Sequence, residues 1–194
     1  YEISACLVGS EMCIRDRKKT LFDNGTRIPL IVSGPGINKN EKIMDAPVEM
    51  IDIYPTLMDL TGKKTPSFVS GKSFASLLKD SSKRVRKSAL TELIIGSKDE
   101  IVQGYSIKTN RYRLTQWGEN GVHGYELYDH KFDKPELNNL ANEEAYRTLK
   151  DSLKKVIRDR IADARKIPDG IGQQNIPKET GEPKPIYSQP KSKF

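Results

Sequence analysis

His123 and His130 flank a short apolar run, Tyr125-Glu126-Leu127-Tyr128, and Asp129 and Asp133 follow within a few positions. Imidazoles and carboxylates so close in sequence are the raw material of a metal site or of proton transfer near neutral pH. The spacing argues for less: seven positions across a strand separate the two imidazoles, so they read as loop or surface histidines rather than ligands or bases. Asp129 and Asp133 have the look of a metal pair. Cys6 and Cys13 fit no common zinc spacing, and one pair makes no disulfide framework. Asn24-Gly25-Thr26 satisfies the glycosylation sequon, although Asn-Gly is first a turn signal.

The elements that must position these residues are legible from periodicity. Ile28, Leu30, Ile31 and Val32 form an apolar run too short for a helix, closed by Ser33-Gly34-Pro35-Gly36, which predicts a strand buried on both faces. From Pro47 the apolar positions Met50, Ile53, Tyr54, Leu57, Met58 and Leu60 recur at helical spacing, with Gly62 placed as a left-handed C-cap. Pro55 interrupts that pattern, so the expectation is a short turn through Asp52 and a second helical piece carrying Pro55 in its first turn. Leu57 and Leu60 would face the sheet. Residues 63 to 88 are rich in Lys and Ser, and only Phe74, Leu77 and Leu78 could pin a short helix.

Residues 104 to 117 alternate in character at period two around Asn110, a hairpin signature. Tyr125 to Tyr128 supplies a further strand after a turn over Gly118 to Gly124, and Ala89 to Ile95 a first one. Asn142 is placed to cap a long helix, running from Glu143 to Lys166, in which Leu149, Leu153, Val156 and Ile161 would pack on this small sheet. Trp117 would pack against the same helix. Beyond Pro168 the mixture of Gly, Gln, Lys and Pro cannot bury enough apolar surface to order itself.

The 194 residues, 36% of them hydrophobic, can hold one domain. A central strand at residues 28 to 32 needs neighbours on both sides, however, and little upstream in this chain can provide them, which suggests the end of something larger. The net charge of +7 lies largely in the Lys-rich segment and the tail, and aromatic residues do not interleave with it, so nucleic acid is not an expected partner. Attraction to polyanions stays open. The sequence has no transmembrane run. Residues 1–17 resemble translated sequencing-adapter read-through, which would leave both cysteines without an evolved role; the alternative is a genuine strand through Ala5 to Val8.

Six motifs, taken in order, resemble a known family: Lys18-Lys19-Thr20-Leu21-Phe22-Asp23, Arg27 to Gly36, Ala46 to Gly62, Gly71 to Leu78, Gly104 to Thr109 with Tyr112-Arg113, and Glu126-Leu127-Tyr128-Asp129-His130 through Ala141. The chain is similar to the C-terminal portion of formylglycine-dependent type I sulfatases of the alkaline phosphatase superfamily, in the branch of iduronate-2-sulfatase and choline-sulfatase. The resemblance implies an α/β fold: the end of an alkaline-phosphatase-like sandwich plus a small C-terminal antiparallel sheet packed on one long helix. The implied division is residues 1–17 as a non-native segment, 18–88 as the end of the large domain, 89–167 as the small subdomain and 168–194 as a flexible tail.

It implies as well a sulfuric ester hydrolase acting on a sulfated carbohydrate or similar ester, in the periplasm or outside the cell, with calcium in the full-length enzyme. The family nucleophile arises in a Cys/Ser-x-Pro-x-Arg motif, which this chain lacks, and the metal ligands would also lie upstream, so the chain alone is expected to be inactive and to hold no cofactor. One family residue is carried over: the lysine four positions before the Phe-Asp pair, Lys18, with Lys19 as fallback, would touch the substrate sulfate. The Leu-Tyr-Asp segment is implied to be structural, although Asp133-Lys134-Pro135 stands where the family has Asp-Pro. Two other readings are a phosphodiesterase or phosphonate monoester hydrolase of the same superfamily, and a non-catalytic polyanion-binding module.

Overall fold

The structure is a computed structural model that describes residues 20–35, 37, 44–97 and 100–166. Lys18, Lys19, the 1–17 segment and the tail from Pro168 lie outside the described residues. A short helical turn, α1 (Asp23–Thr26), leads into the irregular run 27–35. A 3-10 turn (Met50–Asp52) then opens α2 (Ile53–Leu60), and α3 (Ala75–Lys79) follows. Four strands, β1 (Ala89–Ser97), β2 (Glu100–Lys108), β3 (Tyr112–Trp117) and β4 (Tyr125–Asp129), form one antiparallel sheet in sequential order. A 3-10 turn (Glu144–Tyr146) and α4 (Arg147–Ala164) close the described chain. No described helix is long and apolar enough to cross a membrane.

Alternation along the hairpin decides which residues meet. Gly104 pairs with Trp117, Tyr105 with Gln116, Ile107 with Leu114 and Lys108 with Arg113, and Leu114 pairs in turn with Leu127. Tyr105, Ile107, Leu114 and Leu127 therefore share one face, and α4 covers it with Leu153, Ile157 and Ile161 in a single apolar core. The helix begins later than its sequence suggests. Asn142 does not cap it; the chain enters through the 3-10 turn, where Glu143 makes no side-chain cap bond and its carbonyl accepts the Tyr146 N–H at 3.0 Å.

Pro55 sits in the first turn of α2, as its missing N–H requires. At the other end the Lys63 N–H bonds to the Met58 carbonyl at 2.8 Å while Gly62 adopts φ +69°, the left-handed closure expected of it. Two expectations are corrected here. The run 28–32 is not a strand: none of the described strands borders it, and Ile31 is 91% exposed. Apolar composition supplies only half of what a central strand needs, the other half being edges with which to bond. Leu57 likewise faces outward, because α2 packs on α3, where Phe74, Leu77 and Leu78 are buried against Ile53 and Leu60, and not on the sheet.

What fastens this helical part to the sheet and α4 is charge. Asp52, fully buried, accepts Arg86 Nε at 2.7 Å and Nη2 at 2.5 Å, the Lys72 N–H at 2.7 Å and the Glu49 N–H at 2.9 Å. Glu49 in turn accepts the Leu90 N–H of β1 at 2.7 Å and Arg160 Nη2 of α4 at 2.5 Å. Gly71 permits this approach, since a Cβ there would stand 1.9 Å from the Ile51 carbonyl oxygen. Burial alone would raise the Asp52 pKa, but the bonds from Arg86, Lys72 and Glu49 outweigh it and hold the carboxyl below its usual range.

Two outcomes follow. Ile157→Ala, which empties a fully buried site under the sheet, should destabilise the chain by about 2–5 kcal/mol in urea unfolding, whereas Leu57→Ala should stay within about 1 kcal/mol. Because the Asp52 pKa is lower folded than unfolded, its stabilisation is full above the unfolded value and is lost as pH falls through the folded one. The thermal midpoint should therefore drop below about pH 5, and Asp52→Asn, though less stable, should show a flatter decline.

Candidate functional site

The face of the sheet turned away from α4 is polar, and it is buried. Ser106, Arg113, Thr115 and Tyr128 lie on it at 5% exposure or less. It is covered by residues 20–26 and by the loop after β4. Phe22 meets the Tyr128 ring edge-on with centroids 5.8 Å apart, and Leu21 and Trp117 fill the space where a side chain at Gly104 would stand. Trp117 is thus on the side opposite the long helix, a correction forced by its register with Gly104. Its indole bonds to the Glu126 carboxylate, whose pKa burial raises and this bond partly restores.

Arg113, 1% exposed, holds the covering segments. Its Nε donates to Glu136 Oε1 at 2.5 Å, Nη2 to Asp23 Oδ1 at 2.9 Å and to Thr26 Oγ1 at 3.0 Å, and Nη1 to Ser106 Oγ at 3.1 Å. Glu136 returns the connection by accepting the Asp23 N–H on Oε2 at 2.6 Å, and His130 Nε2 lies 2.6 Å from Oε1. Burial would raise the Glu136 pKa, but His130 and Arg113 pull it below the usual carboxylate range. Tyr128, beneath the same cover and close to Glu126 and Glu136, has its phenol pushed up to about 12, first by burial.

The residues singled out from sequence separate here. His130 sits in the turn after β4, half-buried, where it joins the charged cluster through Glu136, while His123 is exposed on the turn after β3. Asp129 and Asp133 form no metal pair: Asp129 takes Arg111 bidentately at 2.8 and 2.6 Å, and Asp133 accepts the N–H groups of Leu137 and Asn138. The structural role implied for this segment holds. Asn139 completes it, its Oδ1 accepting the Leu127 and Ala141 N–H groups at 3.0 and 2.9 Å. Neither Arg113 nor Glu136 stands out as a site residue in the sequence; the available signal is the polar face of the hairpin, on which Lys108 at the end of β2 and Arg113 on β3 pair across the ladder.

Asp23, His130 and Glu136 bring three ligand atoms within 4.8 Å of one another. Calcium does not fit there. It takes six to eight oxygens, and the Asp23 and Glu136 oxygens that converge already hold the Arg113 guanidinium, which stands where a cation would. Beside this cluster opens a cleft lined by Lys108, Arg111, His130, Lys131 and Lys134, by the apolar run from Ile28 to Val32, and by the carboxylates of Asp23, Asp45, Glu49 and Glu92.

The chain matches the family model described as N-sulphoglucosamine sulphohydrolase, C-terminal, over residues 12–163. It is 31% identical over 140 residues to a sulfatase of Formosa agariphila, covering 72% of this chain and 25% of that protein. It is 32% identical over 130 residues to the delta 4,5-hexuronate-2-O-sulfatase of Bacteroides thetaiotaomicron, covering 66% of this chain and 27% of that protein. Among solved structures it is similar to a 2-O GAG sulfatase, with TM-score 0.59 and 29% identity over 67% of this chain and 28% of the other. It spans, then, little more than a quarter of the length of these relatives, at their C-terminal part by the family description. Through that match over most of its residues, the chain belongs to the sulfatases, in the N-sulphoglucosamine sulphohydrolase C-terminal family.

Proposed function

We propose that the whole protein of which this chain is a part hydrolyses a sulfate ester on a carbohydrate, and that the chain contributes one wall of the substrate cleft and not the nucleophile. The observation that carries this reading is the family match, supported by a cleft in whose lining lysine and arginine outnumber aspartate and glutamate. The hexuronate and GAG sulfatases among its relatives support a sulfated, uronate-containing sugar as the substrate class. Such a substrate is met in the periplasm or outside the cell, where we place the protein.

The reaction needs a nucleophile able to attack sulfur and cationic relief of charge on the departing oxygen. The sequence carries no Cys/Ser-x-Pro-x-Arg, so the formylglycine of the family would come from elsewhere in the protein. Calcium, proposed from the same resemblance, would polarise the sulfate and would take ligands other than the described residues. Lys18 is the residue of this chain that we assign to the substrate sulfate, with Lys19 as fallback. Supporting this, Asp23, a few positions on, lines the cleft and is held by Arg113 and Glu136, while Phe22 before it is anchored on Tyr128.

Sulfate release from a 2-O-sulfated unsaturated hexuronate disaccharide tests the reading. The whole protein should release sulfate and the 194-residue chain alone should not; release by the chain alone would contradict it. In the whole protein, Lys18→Ala should lower kcat/KM by about 100-fold or more, and Lys19→Ala should leave it within a few-fold. The reverse pattern would move the role to Lys19.

A further inference from the structure

Lys108 stands out among the charges of the cleft. It is half-buried on the polar face, directly opposite Arg113 in the ladder, and like charges in that arrangement repel. Arg113 is compensated by Asp23 and Glu136, whereas none of the ion pairs among the described residues includes Lys108. Its Nζ donates to the Thr109 carbonyl at 2.9 Å, which leaves two of its three N–H donors for another acceptor. Burial pushes the ammonium pKa down; Asp23 opposes that, and Arg113 adds to it. A desolvated cation at the cleft lining, whose nearby carboxylates among the described residues, Asp23 and Glu136, are already bonded to Arg113, is suited to an anion from outside.

The rim beside it is prepared in the same sense. Asp129 fixes the loop that follows β4: its Oδ1 accepts the Lys131 N–H at 3.0 Å, and its carbonyl accepts the N–H groups of Phe132 at 3.1 Å and Asp133 at 2.8 Å. Phe132, 76% exposed, gives the loop a ring on which Lys131 rests with Nζ 5.1 Å from the centroid. Arg111 lies 5.6 Å from the same ring, its charge already answered by Asp129. Lys134 adds a further cation along the cleft wall. Cations ordered in advance lose less entropy when a ligand arrives.

We propose that Lys108, with Lys131 and Lys134 at the rim, forms a binding site for the sulfate and carboxylate groups of a sulfated glycan chain. Lys108 takes one anionic group in the recess, and the two rim lysines take another farther along. A single-stranded nucleic acid fits less well, because Phe132 and Tyr112, the aromatic rings beside these cations, are engaged by Lys131 and Arg111 rather than open to stacking. The assignment rests on the sulfatase reading for the choice of ligand, but its test needs no turnover.

The probe is a fully sulfated heparin tetrasaccharide, titrated into the 194-residue chain at physiological ionic strength and followed by calorimetry and NMR. Lys108→Gln should weaken binding about tenfold, Lys108→Arg should restore most of it, and the exposed pair Lys131→Ala with Lys134→Ala should weaken it several-fold. Lys155→Ala with Arg158→Ala, which removes two charges from the outer side of α4, should change it less than about twofold. Desulfated and carboxyl-reduced tetrasaccharides show which group Lys108 holds, according to which of them is indifferent to Lys108→Gln. The proposal is overturned if the native chain does not bind, if the α4 variant loses as much as Lys108→Gln, or if a single-stranded DNA of equal charge binds equally well. Failure of the whole protein to release sulfate, with this binding intact, would remove the hydrolase reading and leave the site.

Discussion

A sheet that is apolar on one side and charged on the other can be buried on both only if the most deeply buried charges on the second side find partners, and Arg113 is where that requirement is met. An unpaired guanidinium at this depth would cost several kcal/mol, so the strand that carries it cannot be covered until Asp23 and Glu136 arrive. Those carboxylates come from 90 positions upstream and 23 positions downstream. The same bonds that neutralise Arg113 therefore bring together the start of the described chain, the hairpin and the loop after β4, and they set the wall of the cleft.

Asp52 repeats the device for the helical part. Arg86, Lys72 and Glu49 converge on it, and Glu49 passes the connection to β1 and α4. Apolar contact between α2 and the sheet is slight, so orientation there is set by hydrogen-bonded charge rather than by a continuous core. Such pairs add less net stability than an apolar replacement of the same shape, but they accept few alternative geometries. At Glu136 the requirement extends to the backbone: φ is +60°, a conformation that costs a side-chain-bearing residue about 1–2 kcal/mol and that is retained where three bonds to its carboxylate hold the residue in place.

Local signals were legible in the sequence because their causes are local. Alternation around Asn110 specified the hairpin, the steps of three and four from Leu149 to Ile161 specified α4, and Gly62 and Pro55 marked the end and start of α2 by their own backbone chemistry. The failures have a common origin. The run 28–32 has the composition of a central strand, but ladder partners are not a property of the run itself. Asn142 has the right chemistry for a cap, yet the chain closes its turn with backbone bonds alone. Trp117 lies on the face opposite α4 because a single residue of register decides the side, and register is not a property of the indole. The Arg113 cluster was illegible for the reason that makes it important, since its members meet only after the chain has folded back over the sheet.

Arg113 and Glu136 act as a unit, and a double-mutant cycle measures their coupling. Urea unfolding of Arg113→Met, Glu136→Gln and the double variant should give single losses that exceed the double loss when summed, with a coupling of about 1–3 kcal/mol. Addition of the two single effects to within about 0.5 kcal/mol would contradict it, and would mean that the sheet's polar face is held by something other than this pair.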